Sequence, residues 1–397
     1  MSALVAGIDS RPLCPNAEIC GGCTYQGVPY DEQLTIKNSA VSELLTEAGI
    51  SAKTLVPAKV GPSVYEYRNK MEYSFGDEVK EGPMRLGLHK KKSYMAVHNT
   101  PDCQIVPEDF NTIRDAVQLY FEELGTSFYH KRNRTGFLRN LVLRRGVRTG
   151  ELLVNLVTTS EQELDEGAFV SLISGLALKD EVVGIVHTIN DRRSDTVAKD
   201  SMKVLKGRDY YNEELLGLHF KVNAFAFFQT NIEAVERMLD EAFELLPQKM
   251  GSTLFDVYCG TGTIALALST RADRVIGIDI VEDSIAAANY NAELNEITNC
   301  EFRCADALEG LEELTRLGVV PDMISVDPPR MGLHPKALKK LIEYNLKEIL
   351  YISCNPKTFV ENMSVLKSAG YELDTLKIYD NFPLTRHTEL VSRIIKK

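Results

Sequence analysis

The segment ILYISCNP ends an apolar, β-branched run on Cys354, followed at once by Asn355 and Pro356. A second run, MISVDPPR, closes on Asp327-Pro328-Pro329-Arg330, and Thr385-Arg386-His387-Thr388-Glu389 opens the last apolar stretch. A thiol where a strand opens into a crevice has nucleophilic chemistry available to it, since a thiolate adds to electron-poor carbon. Uracil is a substrate that needs this. Its C5 is a poor nucleophile toward a sulfonium methyl until a thiolate adds to C6 and turns the ring enolate-like. A base must then take the C5 proton so that the sulfur can leave. Glu389 is one candidate base and His387 another; Glu389 also reads as a solvated strand-end acid. Because the thiolate is the reactive form, the site is expected to lower the pKa of Cys354. Cys259, Cys300 and Cys304 read as packing residues.

Upstream, TLFDVYC runs into Gly260-Thr261-Gly262-Thr263. Glycines between a strand and a helix let backbone approach a ligand, or serve only helix–strand packing. The G-x-G lacks the third glycine of the dinucleotide fingerprint, which disfavours NAD. The next apolar run ends on Asp279, 17 residues beyond Gly262, where a carboxylate can accept both ribose hydroxyls of an adenosyl group. Asp306, after the third run, is placed to reach the adenine. Asp-Pro-Pro segments also occur in amino-methylating enzymes, so Asp327 points to methyl transfer without naming the atom alkylated.

Cys14, Cys20 and Cys23 form C-x5-C-x2-C, and Cys103 can close a set of four. Four thiolates suit zinc or an iron-sulfur cluster, and spacing does not choose between them. The net charge of −11 runs against phosphate binding, yet Lys131 to Arg148 holds seven basic residues and no acidic one. A second basic run, His89-Lys90-Lys91-Lys92, follows Arg85. This charge separation is consistent with one RNA-facing side, or with a solvated strand pair. The N-terminus lacks a basic flank and a cleavage site, and no apolar run is long enough to span a membrane, so a cytoplasmic protein is expected.

The elements that position these residues follow from periodicity. Helices are expected at Asp31 to Ala48, Phe110 to Leu124 and Asn231 to Leu246, and FLRNLVLRRG and ELLVNLVTT form a hairpin around Val147 to Gly150. Val182 to Asn190 reads as a strand. From about Gly251, TLFDVYC, RVIGIDI, CEFRCAD, MISVDPP and EILYISC alternate with helices such as Glu282 to Leu294 and Pro335 to Tyr344, which argues for a parallel sheet covered on both faces. YELDTLKIYD and HTELVSRIIKK have no helix between them, and so predict a terminal antiparallel hairpin, a hallmark of the class I methyltransferase fold.

Together CPNAEICGGC, YRNKMEYSF, GFLRNLVLR, FFQTN, DVYCGTGTIAL, DPPR, SCNP and HTE resemble the RNA 5-methyluridine (uracil-C5) methyltransferases that act on ribosomal RNA and on the tRNA T-loop. The likeness runs from Cys14 to the C-terminus and is strongest to the iron-sulfur-containing 23S rRNA enzymes. It implies an α/β chain whose residues 246–397 are a class I S-adenosylmethionine-dependent catalytic domain with a Rossmann-like seven-stranded sheet. Residues 1–108 would be the iron-sulfur region, intertwined with a central α+β RNA-binding domain at 109–245. The resemblance implies Cys354 as nucleophile, Glu389 as proton acceptor, and cofactor contacts from Gln229, Tyr258, Gly260, Thr263, Asp279, Asp306 and Asp327, although other members carry different polar residues at positions 263 and 306. For the cysteines it favours a [4Fe-4S] cluster.

The expected activity is methylation of uridine C5 in 23S rRNA by a monomer. A tRNA T-loop enzyme is the alternative, and a non-catalytic RNA-binding module a second. A cytosine-C5 enzyme also uses a thiolate, but one that follows other motifs. Arg132, Arg134, Arg139 and Arg144 are candidate RNA contacts. Thirteen residues precede Cys14, so the small N-terminal β-barrel carried by many members is expected to be absent.

Overall fold

The computed structural model describes residues 12–194, 197–249 and 251–397. Residues 1–11, on which much of the reading of the N-terminus rested, lie outside them. A loop bearing Cys14, Cys20 and Cys23 leads into α1 (Tyr30–Glu47), then β1 (Thr54–Val56), β2 (Lys70–Asp77), β3 (Met84–His89) and β4 (Val97–Asn99). Next come α2 (Glu108–Glu123), β5 (Leu138–Gly146), β6 (Glu151–Thr158), α3 (Glu166–Ser174), β7 (Glu181–Ile189), β8 (Ser201–Gly207), β9 (Tyr210–Leu215) and β10 (Leu218–Asn223).

Strands β2 to β8 form a seven-stranded sheet in the order β4-β3-β2-β5-β6-β7-β8. The predicted hairpin is β5–β6, paired antiparallel up to Gly146 and Glu151. The β6–β7 pair is parallel, because α3 carries the chain back across the sheet, as a parallel connection requires. Strands from before and after Asp109 thus share one sheet.

The last part runs α4 (Ile232–Phe243), β11 (Thr253–Val257), α5 (Thr263–Leu268), β12 (Arg274–Asp279), α6 (Glu282–Leu294), β13 (Cys300–Cys304), α7 (Ala307–Arg316), β14 (Met323–Val326), α8 (Pro335–Glu343), β15 (Glu348–Ser353), α9 (Pro356–Ser368), β16 (Tyr371–Tyr379) and β17 (Glu389–Lys396). Their sheet has the order β1-β16-β17-β15-β14-β11-β12-β13. β11 to β15 are parallel, while β17 runs antiparallel to both β15 and β16, the expected terminal hairpin. Not expected was β1, which leaves its sequence neighbours and adds in parallel to β16. Sheet strands such as Phe255, Ile276, Ile324, Leu350 and Leu390 are fully buried, as strands covered on both faces must be. The chain works outward from β11 to β13, then returns to β14 on the other side of β11. That reversal is a topological switch point, and it opens a crevice at the carboxyl ends of β11 and β14. Among the described residues no helix is long and apolar enough to cross a membrane.

Candidate active site

At the switch point β11 ends on Val257, and Tyr258 takes a left-handed backbone (φ 68°) with its N–H donated to Ile278 O at 2.8 Å. That conformation is unusual for an aromatic residue and persists only where surrounding bonds impose it. The two glycines then divide their work. A Cβ on Gly262 (φ 86°) would press on the Phe302 ring at 3.0 Å, so this glycine serves helix–strand packing. A Cβ on Gly260 meets nothing within 4 Å, so the backbone there borders open space, as a ligand-facing turn should. Asp279 orients the turn: its carboxylate accepts from Gly260 N–H at 3.0 Å and Val281 N–H at 2.9 Å. Each oxygen keeps a second lone pair for a hydroxyl. Asp306 caps α7 through Leu308 N–H at 2.9 Å and stands close enough to Tyr258 to act on its phenol. Thr263 is buried in the first turn of α5. Gln229 is held through its carbonyl, which accepts from the buried Asn69 amide at 3.0 Å.

Beneath the turn lies a residue that sequence reasoning passed over. Asp256 is fully buried, accepting from Ser325 Oγ at 2.6 Å and from Ala265 N–H at 3.0 Å, so it ties β11, β14 and α5 together. Burial pushes its carboxyl up to about 7, with Asp327 and Asp279 adding to the effect. A lone acid inside the apolar run TLFDV was the available signal.

Cys354, Glu389 and Asp327 gather on the other side of the crevice. Ser353 pairs with Leu390 across β15 and β17, so the next pair outward brings Cys354 opposite Glu389 at the mouth of the sheet. Parallel pairing of Val326 with Tyr351 sets Asp327 level with Ile352, two residues short of Cys354. Its carboxyl still acts on both Cys354 and Glu389. Burial pushes Glu389 up to about 8, reinforced by Asp327, and pushes Asp327 up to about 6. The expectation of a depressed thiol pKa fails in the free protein: burial, then Glu389, then Asp327, push Cys354 up to about 11, against the opposing pull of Arg330. Two carboxyls beside a half-buried thiol disfavour the thiolate.

Asn355 explains the residue after the thiol. Its side chain caps α9 through Lys357 N–H (3.2 Å) and donates to Arg330 O (2.8 Å), tying the Cys354 turn to the Asp-Pro-Pro-Arg loop. Thr358 Oγ1 reaches the same carbonyl at 3.3 Å. The Arg330 guanidinium lies 2.9 Å from His387 Nδ1 and lowers that imidazole's pKa, after burial. A histidine held neutral beside a fixed cation is a poor place to collect a proton, which favours Glu389 over His387.

The four early cysteines converge. Cys14, Cys20, Cys23 and Cys103 line one small cavity with Gly22 and Leu88, and all four are free thiols. Gly22 N–H donates to Cys20 Sγ at 3.3 Å, and Asn111 holds the Cys103 peptide through bonds of 3.2 Å to both its N–H and its carbonyl. Burial pushes Cys23 up to about 12 and Cys103 up to about 11, so thiolates there need a positive partner. Among the described residues no three His, Cys, Asp or Glu side chains are grouped to hold a metal ion. The basic run at 89–92 underlies this loop: Cys20 bridges Lys90, and Lys91 Nζ donates to Ala17 O at 2.5 Å.

Two of the four arginines expected to touch RNA face inward. Arg139 is buried, donating to the carbonyls of Asn190, Arg192 and Ser194 at 2.6–2.7 Å and lying over the Tyr129 ring. Arg144 is buried against Tyr211. Both faces of β5 are covered, so alternation along the strand does not deliver them to solvent. Arg132 and Arg134, on the preceding loop, are exposed.

The sequence profile of the tRNA (uracil-5-)-methyltransferase family matches residues 168–397. An uncharacterized RNA methyltransferase of Clostridium tetani is 42% identical over 97% of this chain and 84% of its own length. A second, from Caldanaerobacter subterraneus, is 41% identical over 96% of this chain and 84% of its own. Among solved structures, the Pyrococcus abyssi tRNA (uracil-54, C5)-methyltransferase in complex with S-adenosyl-L-homocysteine superposes with a TM-score of 0.75 and 28% identity, covering 95% of this chain and 86% of that one. The chain belongs to the tRNA (uracil-5-)-methyltransferase family and is an S-adenosylmethionine-dependent RNA methyltransferase of the class I fold.

Proposed function

We propose that the chain methylates C5 of a uridine in 23S rRNA, with Cys354 as nucleophile and Glu389 as proton acceptor. The observation that carries this is the β15–β17 register, which brings a thiol and a carboxyl side by side at the switch-point crevice. S-adenosylmethionine, when bound, supplies an electrophilic methyl on a positively charged sulfur. Gln229, Tyr258, Gly260, Asp279 and Asp327 would hold it; Thr263 and Asp306 support the surrounding turn and helix.

Cys354 loses its proton to solvent, its sulfur forms a bond to C6, and the electron pair displaced onto the ring makes C5 nucleophilic. The new C5–methyl bond forms as the sulfonium–methyl bond breaks. Glu389 then takes the C5 proton, the ring electrons re-form the C5–C6 double bond, and the Cys354–C6 bond breaks. Glu389 must be ionised for that step, and a carboxyl near 8 is a stronger base than an ordinary one. Asp327 and Glu389 hold the thiol protonated in the free protein, and a positive charge beside them offsets both. Cys354 therefore ionises most readily once the crevice is filled.

Cys14, Cys20, Cys23 and Cys103 are read as ligands of a structural [4Fe-4S] cluster, which suits four half-buried thiols on one cavity with a backbone N–H directed at Cys20. Methyl transfer needs no electron from it. Arg132 and Arg134 are the remaining candidates for RNA contact, with the uracil extruded from a folded loop into the pocket. A second reading, a tRNA T-loop uridine as substrate, draws on the likeness to the Pyrococcus enzyme, which acts on uracil-54 of tRNA.

RNA carrying 5-fluorouridine tests the chemistry, because fluorine at C5 cannot leave as a proton and traps the adduct. The parent should form a denaturant-stable protein–RNA complex and Cys354→Ala none; an adduct with the variant would acquit that thiol. Mapping 5-methyluridine in 23S rRNA and tRNA from a strain lacking the protein assigns the substrate. A missing methyl in 23S rRNA is the expected result, and one missing only in tRNA would favour the second reading.

A further inference from the structure

The segment 380–388 joins β16 to β17 and delivers Glu389 to the crevice. Its midpoint, Leu384, is buried and held in the left-handed region (φ 64°), a strained conformation for a branched side chain. Such a backbone persists only when its surroundings over-determine it. Here they do, and the bonds to the Leu384 peptide itself come from the N-terminal part of the chain. Leu384 N–H donates to Gln33 Oε1 at 3.1 Å, and Leu384 O accepts from Tyr25 N–H at 2.9 Å. Gln33 is itself almost fully buried, and its Nε2 donates back to Val28 O at 2.8 Å and Tyr25 O at 3.3 Å, so the amide closes a ring around the strained peptide. Next to it, Tyr67 Oη donates to Pro383 O at 3.0 Å. At the start of the segment, Asp380 accepts from buried Lys37 at 2.5 Å and from Tyr30 Oη at 3.0 Å.

We propose that Gln33 is a positioning residue for Glu389, acting through the strained backbone of Leu384. Four residues lie between Leu384 and Glu389, and Thr385 carries the constraint onward: its Oγ1 donates to Phe382 O at 2.8 Å and accepts from His387 N–H at 3.2 Å. Without the Gln33 amide, Leu384 relaxes toward an ordinary φ, which turns the chain direction just ahead of β17. Cys354 has anchors of its own besides the β17 pairing: the parallel β14–β15 pairing, and Asn355, which caps α9 and donates to Arg330 O. Losing the clamp therefore displaces the base relative to an adduct whose formation it leaves intact.

The proposal rests on the reading of Glu389 as proton acceptor, and its test separates the two. Full-length parent, Gln33→Met, Gln33→Glu and Glu389→Gln are given methyl-labelled S-adenosylmethionine with rRNA and tRNA isolated from a strain lacking the protein. The measurements are label in the denaturant-stable protein–RNA complex and label in released RNA. Gln33→Met should form the methylated complex at the parental rate and release product slower by roughly 100-fold, the scale of an ångström-sized misplacement. Gln33→Glu, in its protonated form, keeps the acceptor for Leu384 N–H and a donor for Val28 O, and should restore release. Formation and release falling together, or release unchanged, overturns the proposal. If Gln33→Met does not fold, Tyr67→Phe, which deletes one hydroxyl from the same clamp, should still slow release more than formation; an unchanged ratio overturns it. If Glu389→Gln fails to trap methylated complex, the base assignment itself falls; if it traps and the clamp variants do not, only the positioning role falls.

Discussion

Replacing Glu389 by Gln keeps the shape of the side chain and removes the charge that its surroundings resist. In the folded protein the carboxyl is raised by burial, and then by Asp327, from its ordinary 4.5 to about 8. Between those values the folded state holds a proton that the unfolded chain has released, so stability falls as pH rises toward 8 and levels off above it. At about 1.4 kcal/mol per unit, moving from about pH 5.5 to 8 costs the parent about 3 kcal/mol, an upper value because the side chain is only half-buried. With unfolding entropy near 2.1 cal/mol/K per residue, a chain this long registers that as about 4 °C in Tm. Glu389→Gln has no such proton to lose. Thermal unfolding across the pH series should show the Tm of the variant rising by about 4 °C relative to the parent, with no further gain above pH 8. A difference that stays constant over the whole range would refute the proton-holding carboxyl and the enhanced basicity argued from it.

Asn355→Ala removes a helix cap and the tie to Arg330 O, and should cost about 2 kcal/mol in denaturant unfolding; because it loosens the turn bearing Cys354, adduct formation should slow more than RNA binding weakens. Arg132→Ala and Arg134→Ala should each weaken RNA binding and lower the salt slope by about 0.7–0.9. Arg139→Ala should instead lower Tm and leave that slope alone, since its guanidinium is engaged by three carbonyls. Anaerobically purified protein should absorb in the visible region through sulfide-to-iron bands, which Cys23→Ser should abolish; a colourless, zinc-loaded parent would overturn the cluster assignment.

Much was legible in the sequence because it is local. Periodicity marked the helices, the β5–β6 hairpin and the alternating strands of the second sheet, and a missing helix between the last two strands foretold their antiparallel pairing. The thiol, the carboxylates and the glycine turn stood out because residue type at a strand's carboxyl end says what can line a crevice. Tertiary structure alone decided what those groups are like. It placed Arg139 and Arg144 inside, since a basic run does not reveal whether one sheet face or both are covered. It raised the Cys354 pKa, because desolvation and the carboxyls of Asp327 and Glu389 come from three separate strands. It also moved β1 to the edge beside β16 and bound Leu384 to Gln33 across 351 positions of chain. A periodic pattern says that a face will be buried but not against what, and the strain and electrostatics of this site arise from that second fact.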